Sequence, residues 1–153
     1  MAVGITSIVL IYMLVYQPLA SESAGKSGEF NLAEIHSVSL ARHDHVSLSI
    51  LVNGGPVVVP EEVGMIPQLW HDHSLDRYGP SGISPMHTHD NSGTIHIEST
   101  TPREYTLGEF LAVMGIKPDT VTRMTVDGNE VVDIWNHAMK DRERIQLELT
   151  IAR

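Results

Sequence analysis

The chain contains no cysteine, so neither a disulfide framework nor a thiolate metal site is open to it, and a nucleophilic thiol is excluded. Basic residues are also scarce: ten Lys and Arg stand against nineteen Asp and Glu, for a formal net charge of −9. The acidic residues are scattered rather than blocked, which argues against nucleic acid or an anionic membrane surface as a partner and suits a cationic ligand. Charge of either sign is missing from the first twenty residues, MAVGITSIVLIYMLVYQPLA.

An uncharged apolar run of that length reads either as a secretory signal cleaved after Ala20 or as one helix spanning the membrane. No Lys or Arg precedes Lys26, whereas a cleaved signal starts with a basic segment, so a retained anchor is preferred. Residues 1–20 are expected to tether the chain to a membrane. The remainder is then extracytoplasmic, as a single-pass protein or a secreted one. Residues 21–34, SESAGKSGEFNLAE, have the composition of a flexible linker. Residues 35–153 have the length of one compact domain.

Within that domain Val46, Leu48, Ile50 and Val52 alternate with Ser47, Ser49 and Leu51, the period of a strand with one buried face. His43 and His45 fall on its other face. Asn53-Gly54-Gly55 predicts a hairpin turn with a return strand through Val57-Val58-Val59. Between Glu61 and Pro85 no period persists, and the stretch reads as a long ordered loop of the kind that carries a site. Thr94 to Ser99 alternates again, with His96 and Glu98 on the polar face. Thr106 to Glu109 has the capping-box pattern, followed by Leu107, Phe110, Leu111 and Met114 at helical spacing. A second hairpin, Val121–Val126 and Val131–Val132 about Asp127-Gly128, precedes a last strand from Ile145 to Ile151. The expected fold class is α+β: a mixed sheet with one short helix and an N-terminal hairpin, preceded by one apolar N-terminal helix.

Six of the nine histidines form three His-x-His pairs, His43/His45, His71/His73 and His87/His89; random placement would give about 0.5 such pairs. Residues i and i+2 of a strand project to one side, so two imidazoles can reach one ion from a stiff backbone. One such pair alone is a weak motif, equally satisfied by two solvated imidazoles. The neighbourhood of His87 and His89 adds weight. Asp90 follows, then the turn-forming Asn91-Ser92-Gly93, then His96 and Glu98 on a returning strand that would lie beside the pair. Asp90 is positioned to accept the second ring N–H of a ligand, with Glu98 and His43 as further supports. A fourth donor is expected from His45, from His73 or from water. His73 is equally suited to order its loop through Asp72 or Asp76. His71 is expected to be exposed, and the solitary His36 and His137 to be structural. Core packing is sufficient use for Trp70, Tyr78 and Trp135.

The run PMHTHDNSGTIHIEST…REYTLGEFL, with LWHDHSLDRYG and HVSLSILVNGG upstream, resembles a group of small exported His-rich proteins found especially in ammonia-oxidising archaea. The positions that match the group's pattern are His45, His73, His87, His89, Asp90 and His96. The resemblance implies export and this histidine set, makes copper more plausible in copper-dependent organisms, and implies no reaction. Separately, the element order from Ile95 onward resembles the β-grasp fold of ubiquitin-like and sulfur-carrier proteins. Their reactive diglycine tail is absent from Leu149-Thr150-Ile151-Ala152-Arg153, so their activity does not carry over.

Imidazoles with an optional carboxylate suit copper or zinc and disfavour calcium or magnesium. Met86 offers a soft thioether to Cu(I), although packing is the commoner use of such a residue. The expected function is extracytoplasmic metal storage or delivery. A zinc-dependent hydrolase or hydratase, with three His on the metal and Glu98 as proton shuttle, is the second reading, since no substrate pocket is legible. A non-catalytic interaction module of a membrane protein complex is the third.

Overall fold

The computed structural model describes residues 39–151. The expected anchor, the linker and His36 lie outside the described residues. Among those described, no helix is long and apolar enough to cross a membrane. They form one mixed sheet and a single α-helix. The strands are β1 (Arg42–Val52), β2 (Gly55–Val57), β3 (Met86–His87), β4 (Thr94–Ser99), β5 (Val121–Val126), β6 (Asn129–Glu130) and β7 (Arg144–Leu149), with helix α1 at Leu107–Val113. The order across the sheet is β3-β4-β1-β7-β5-β6, with β2 also paired to β1.

β1 organises the sheet because its eleven residues serve two antiparallel partners in succession. Arg42 to Ser47 pair with β4, and Ile50 to Val52 pair with β2. Along its other edge, Ser47 to Val52 run parallel to β7. The even-numbered side chains Val46, Leu48 and Ile50 point into the core with Ile95, Ile97, Met86, Met124, Ile145 and Leu147. Each such side chain stabilises the fold by roughly 1.5–3 kcal/mol on full burial. Since the side-chain period of a strand is two, the odd-numbered residues of β1, starting with His43 and His45, are committed to the opposite face.

α1 begins at a complete capping box: Thr106 Oγ1 accepts from the Glu109 N–H, and the Glu109 carboxylate accepts from the Thr106 N–H at 2.9 Å. Its Leu107, Phe110, Leu111 and Val113 are all buried. The helix stops at Val113, one residue before Met114. Trp70, Tyr78 and Trp135 pack half-buried against the core.

Both hairpins are tighter than the apolar runs suggest. Asn53 and Gly54 have φ of 49° and 82°, and Asp127 and Gly128 have 49° and 83°, the positive pairs of two-residue turns that match strand twist. The returning strands therefore begin at once, at Gly55 and at Asn129. Val59 is released into the core and Val132 is exposed. The last strand likewise ends at Leu149 rather than Ile151.

Candidate metal centre on the outer face of the sheet

β4 is the middle strand of the site. His96 is the register partner of His45 on β1 and also of His87 on β3. Two residues further on, Glu98 is the partner of His43. Three strands thus deliver a row of three imidazoles across the sheet, flanked by His43, Glu98 and His89, all opposite the apolar face. The turn between β3 and β4 closes only because Gly93 has no side chain. Its φ is +82°, and a Cβ there would stand 2.2 Å from the Leu48 carbonyl oxygen.

His87 is fully buried, and the long loop before it is the cause. The Glu62 N–H donates to the Thr88 carbonyl, the Thr88 N–H to Val63, and the Ser84 N–H to Gly64. Thr88 Oγ1 accepts from the Val63 N–H and donates to the Pro60 carbonyl. These bonds lace residues 60–64 along the outer edge of β3, which would otherwise be an open sheet edge. Burial disfavours the imidazolium form and lowers the His87 pKa from 6.5 to about 3. The Ser84 carbonyl opposes this shift, and His89, His96 and His43 add to it.

A carbonyl can only accept, so the 2.9 Å contact between His87 Nδ1 and the Ser84 oxygen places the ring proton on Nδ1. Nε2 of the neutral ring is left with a bare lone pair. It stands 3.3 Å from Nε2 of His89, about the separation of two nitrogens held at 2.0 Å by one tetrahedral ion. Such a backbone acceptor on the distal nitrogen is the usual support of a metal-binding imidazole.

Two sets of side chains could hold a metal ion: His43, His45 and His96, and His87, His89 and Glu98, the ligand atoms of each set lying within 4.8 Å of one another. The first set is the more open, with the His43 side chain 55% exposed, whereas that of Glu98 is 12% exposed. The Glu98 carboxylate also lies 3.5 Å from His43 Nε2. Burial lowers the His96 pKa to about 4, helped by the neighbouring His89, His45 and His43 and opposed by Asp90. At neutral pH both rings are therefore neutral and able to coordinate.

The remaining candidates take other places. Asp90 accepts from the Ser92 N–H at 2.8 Å and is held below the usual carboxylate range chiefly by Ser92; the distal N–H of His87 goes to Ser84 instead. His73 bonds Asp76 at 3.0 Å and packs on Trp70, and belongs to neither set. His71 is exposed, and His137 bonds Glu143 at 2.9 Å. His43 and Glu98, supporting residues in the sequence reading, stand within ligand reach. The strand alternation already carried that signal, since it puts His43 beside His45 and Glu98 beside His96 on one face.

These features reside in a chain that no protein-family model matches, and no curated protein or solved structure matches it either.

Proposed function

We propose that the chain is an extracytoplasmic metal-binding protein, held at the membrane or exported through residues 1–20, whose histidine face takes up copper or zinc for storage or delivery. The observation that carries this reading is the pair of Nε2 atoms of His87 and His89, 3.3 Å apart, with the His87 tautomer set by Ser84. Five imidazoles and one carboxylate with no thiolate suit Cu(II) and Zn(II). The openness of the His43 side supports exchange with a partner or chelator rather than permanent sequestration. The gathering of His45, His87, His89 and His96 on one face supports the resemblance to the exported His-rich group. A mixed sheet with one helix on its apolar face supports a β-grasp reading that takes in β1, which stands between β4 and β7.

One observation favours zinc-dependent hydrolysis as a second reading. His87, His89 and Glu98 are the His2Glu donor type of zinc hydrolases that keep a fourth position for water. It ranks second because the donors stand on a sheet face, and the clefts beside Trp135 and beside Arg144 include none of them.

The test is to equilibrate the full-length protein with Cu(II) or Zn(II) at neutral pH and remove free metal. Retained metal that falls in His87→Ala/His89→Ala and passes to a chelator without turnover supports delivery. Metal-dependent turnover of an activated ester that requires Glu98 supports the second reading. Failure to retain either metal removes both and leaves an interaction module.

A further inference from the structure

Resting on the reading that this face binds metal, we propose that it holds two ions side by side rather than one. The two triads share no residue: His43, His45 and His96 form one, and His87, His89 and Glu98 the other. β4 contributes one ligand to each, and a His-x-His pair from each flank completes them.

Ring orientation gives an independent reason. His96 and His87 are stacked, with planes 12° apart and centroids 5.7 Å apart. The lone pair of an imidazole nitrogen lies in its ring plane, so two near-parallel stacked rings aim at separate points. His96 instead meets His45 edge-on at 4.7 Å, and His87 meets His89 edge-on at 4.8 Å. His89 also meets His96 edge-on, at 4.5 Å, so the triads adjoin there, and what separates them is the stacked His96 and His87 together with the two distinct sets of ligand atoms.

Glu98 lies at that division. It is within ligand reach of His87 and His89 and 3.5 Å from His43 Nε2, so its two oxygens can serve both ions as a bridge. Carboxylate-rich two-metal centres hold their ions about 3.5–4 Å apart. Asp90 adds a second negative charge close enough to act on His96 and His89. The sites differ in character: the ion beside His87 is enclosed, and the ion beside His43 is open to exchange.

The experiment is Cu(II) titration of the full-length protein by equilibrium dialysis, with electron paramagnetic resonance of the loaded form. The expected result is two equivalents, with a spin-coupled signal integrating to fewer than two spins. The exposed-side variant His43→Ala/His45→Ala, where folding is not at stake, should retain one equivalent with an ordinary uncoupled Cu(II) signal. His87→Ala/His89→Ala should retain one equivalent in the other triad. A single equivalent in the unaltered protein, lost in both double variants, would mean one ion with mixed ligands and would overturn the pair while leaving metal binding intact. No bound copper at all would remove the underlying reading as well.

Discussion

The Nε2 atoms of His87 and His89 face each other across 3.3 Å, while the opposite nitrogen of His87 is committed to the Ser84 carbonyl. The first ring is buried and fixed and the second exposed, so replacing them should differ in kind. His89→Ala should weaken metal binding by at least the 10–100-fold seen when supports of a metal ligand are removed, with little loss of stability. His87→Ala should do the same and also destabilise the fold by about 1–3 kcal/mol, because the Ser84 carbonyl loses its partner. Chelator competition and urea denaturation, run on both variants, separate the two effects.

The depressed pKa values of His87 and His96 make the metal-free protein acid-sensitive. Between about pH 6.5 and pH 4 the unfolded chain takes up protons at these positions that the folded chain does not. Their contribution is therefore fully present above pH 6.5 and is lost as pH falls toward 4 and below. The loss should approach about 1.4 kcal/mol per pH unit for the buried His87, with a smaller share from the partly exposed His96. Denaturant melts in the presence of a chelator should show this slope, and His87→Gln should reduce it. A flat profile across the window would contradict the burial argument.

Metal should stabilise the folded chain by mass action. At free Zn(II) a hundredfold above the Kd, the gain is about 2.7 kcal/mol per site, on the order of 10 °C in Tm for a domain of this size. Thermal melts with and without zinc measure it, and His43→Ala/His45→Ala should reduce it.

His73 serves as the internal control. Its ring is held by Asp76 and Trp70, away from both donor sets. His73→Ala should leave metal affinity within about twofold and cost no more than about 1 kcal/mol, the range of an exposed side-chain pair. A large fall in affinity in that variant would show that the loop closes onto the site.

Gly93→Ala tests how the site is placed. A methyl group there meets the Leu48 carbonyl at 2.2 Å and occupies a positive-φ position. The turn that sets His96 beside His87 should then be displaced. We expect destabilisation of at least about 1–3 kcal/mol together with loss of metal affinity, whereas Gly54→Ala, where nothing lies within 4 Å, should change stability alone.

Much of this was legible in the residues themselves. The alternation of Val46, Leu48 and Ile50 sets His45 on the outer face, and Asn91-Ser92-Gly93 returns the chain so that His96 lies beside His87. The capping box of Thr106 and Glu109 starts the helix where the pattern says it should. Strand limits depart from the apolar runs where a two-residue turn admits Gly55, Pro56 and Asn129 to strands, residues whose own propensities oppose it. The lacing of residues 60–64 along β3 was invisible, because it consists of backbone hydrogen bonds between segments with no shared period. That lacing is what buries His87. The parallel pairing of β1 with β7 joins segments almost a hundred residues apart, and no local pattern announces it.

The claim that imidazoles from three separate segments converge on metal is tested most directly by following every histidine ring at once. In a zinc titration of the full-length protein, monitored by long-range 1H–15N correlation of the side chains, His43, His45, His87, His89 and His96 should shift together and stop at saturation. His71, His73 and His137 should stay in place. Zinc-dependent shifts confined to those three, or none at the five, would contradict it.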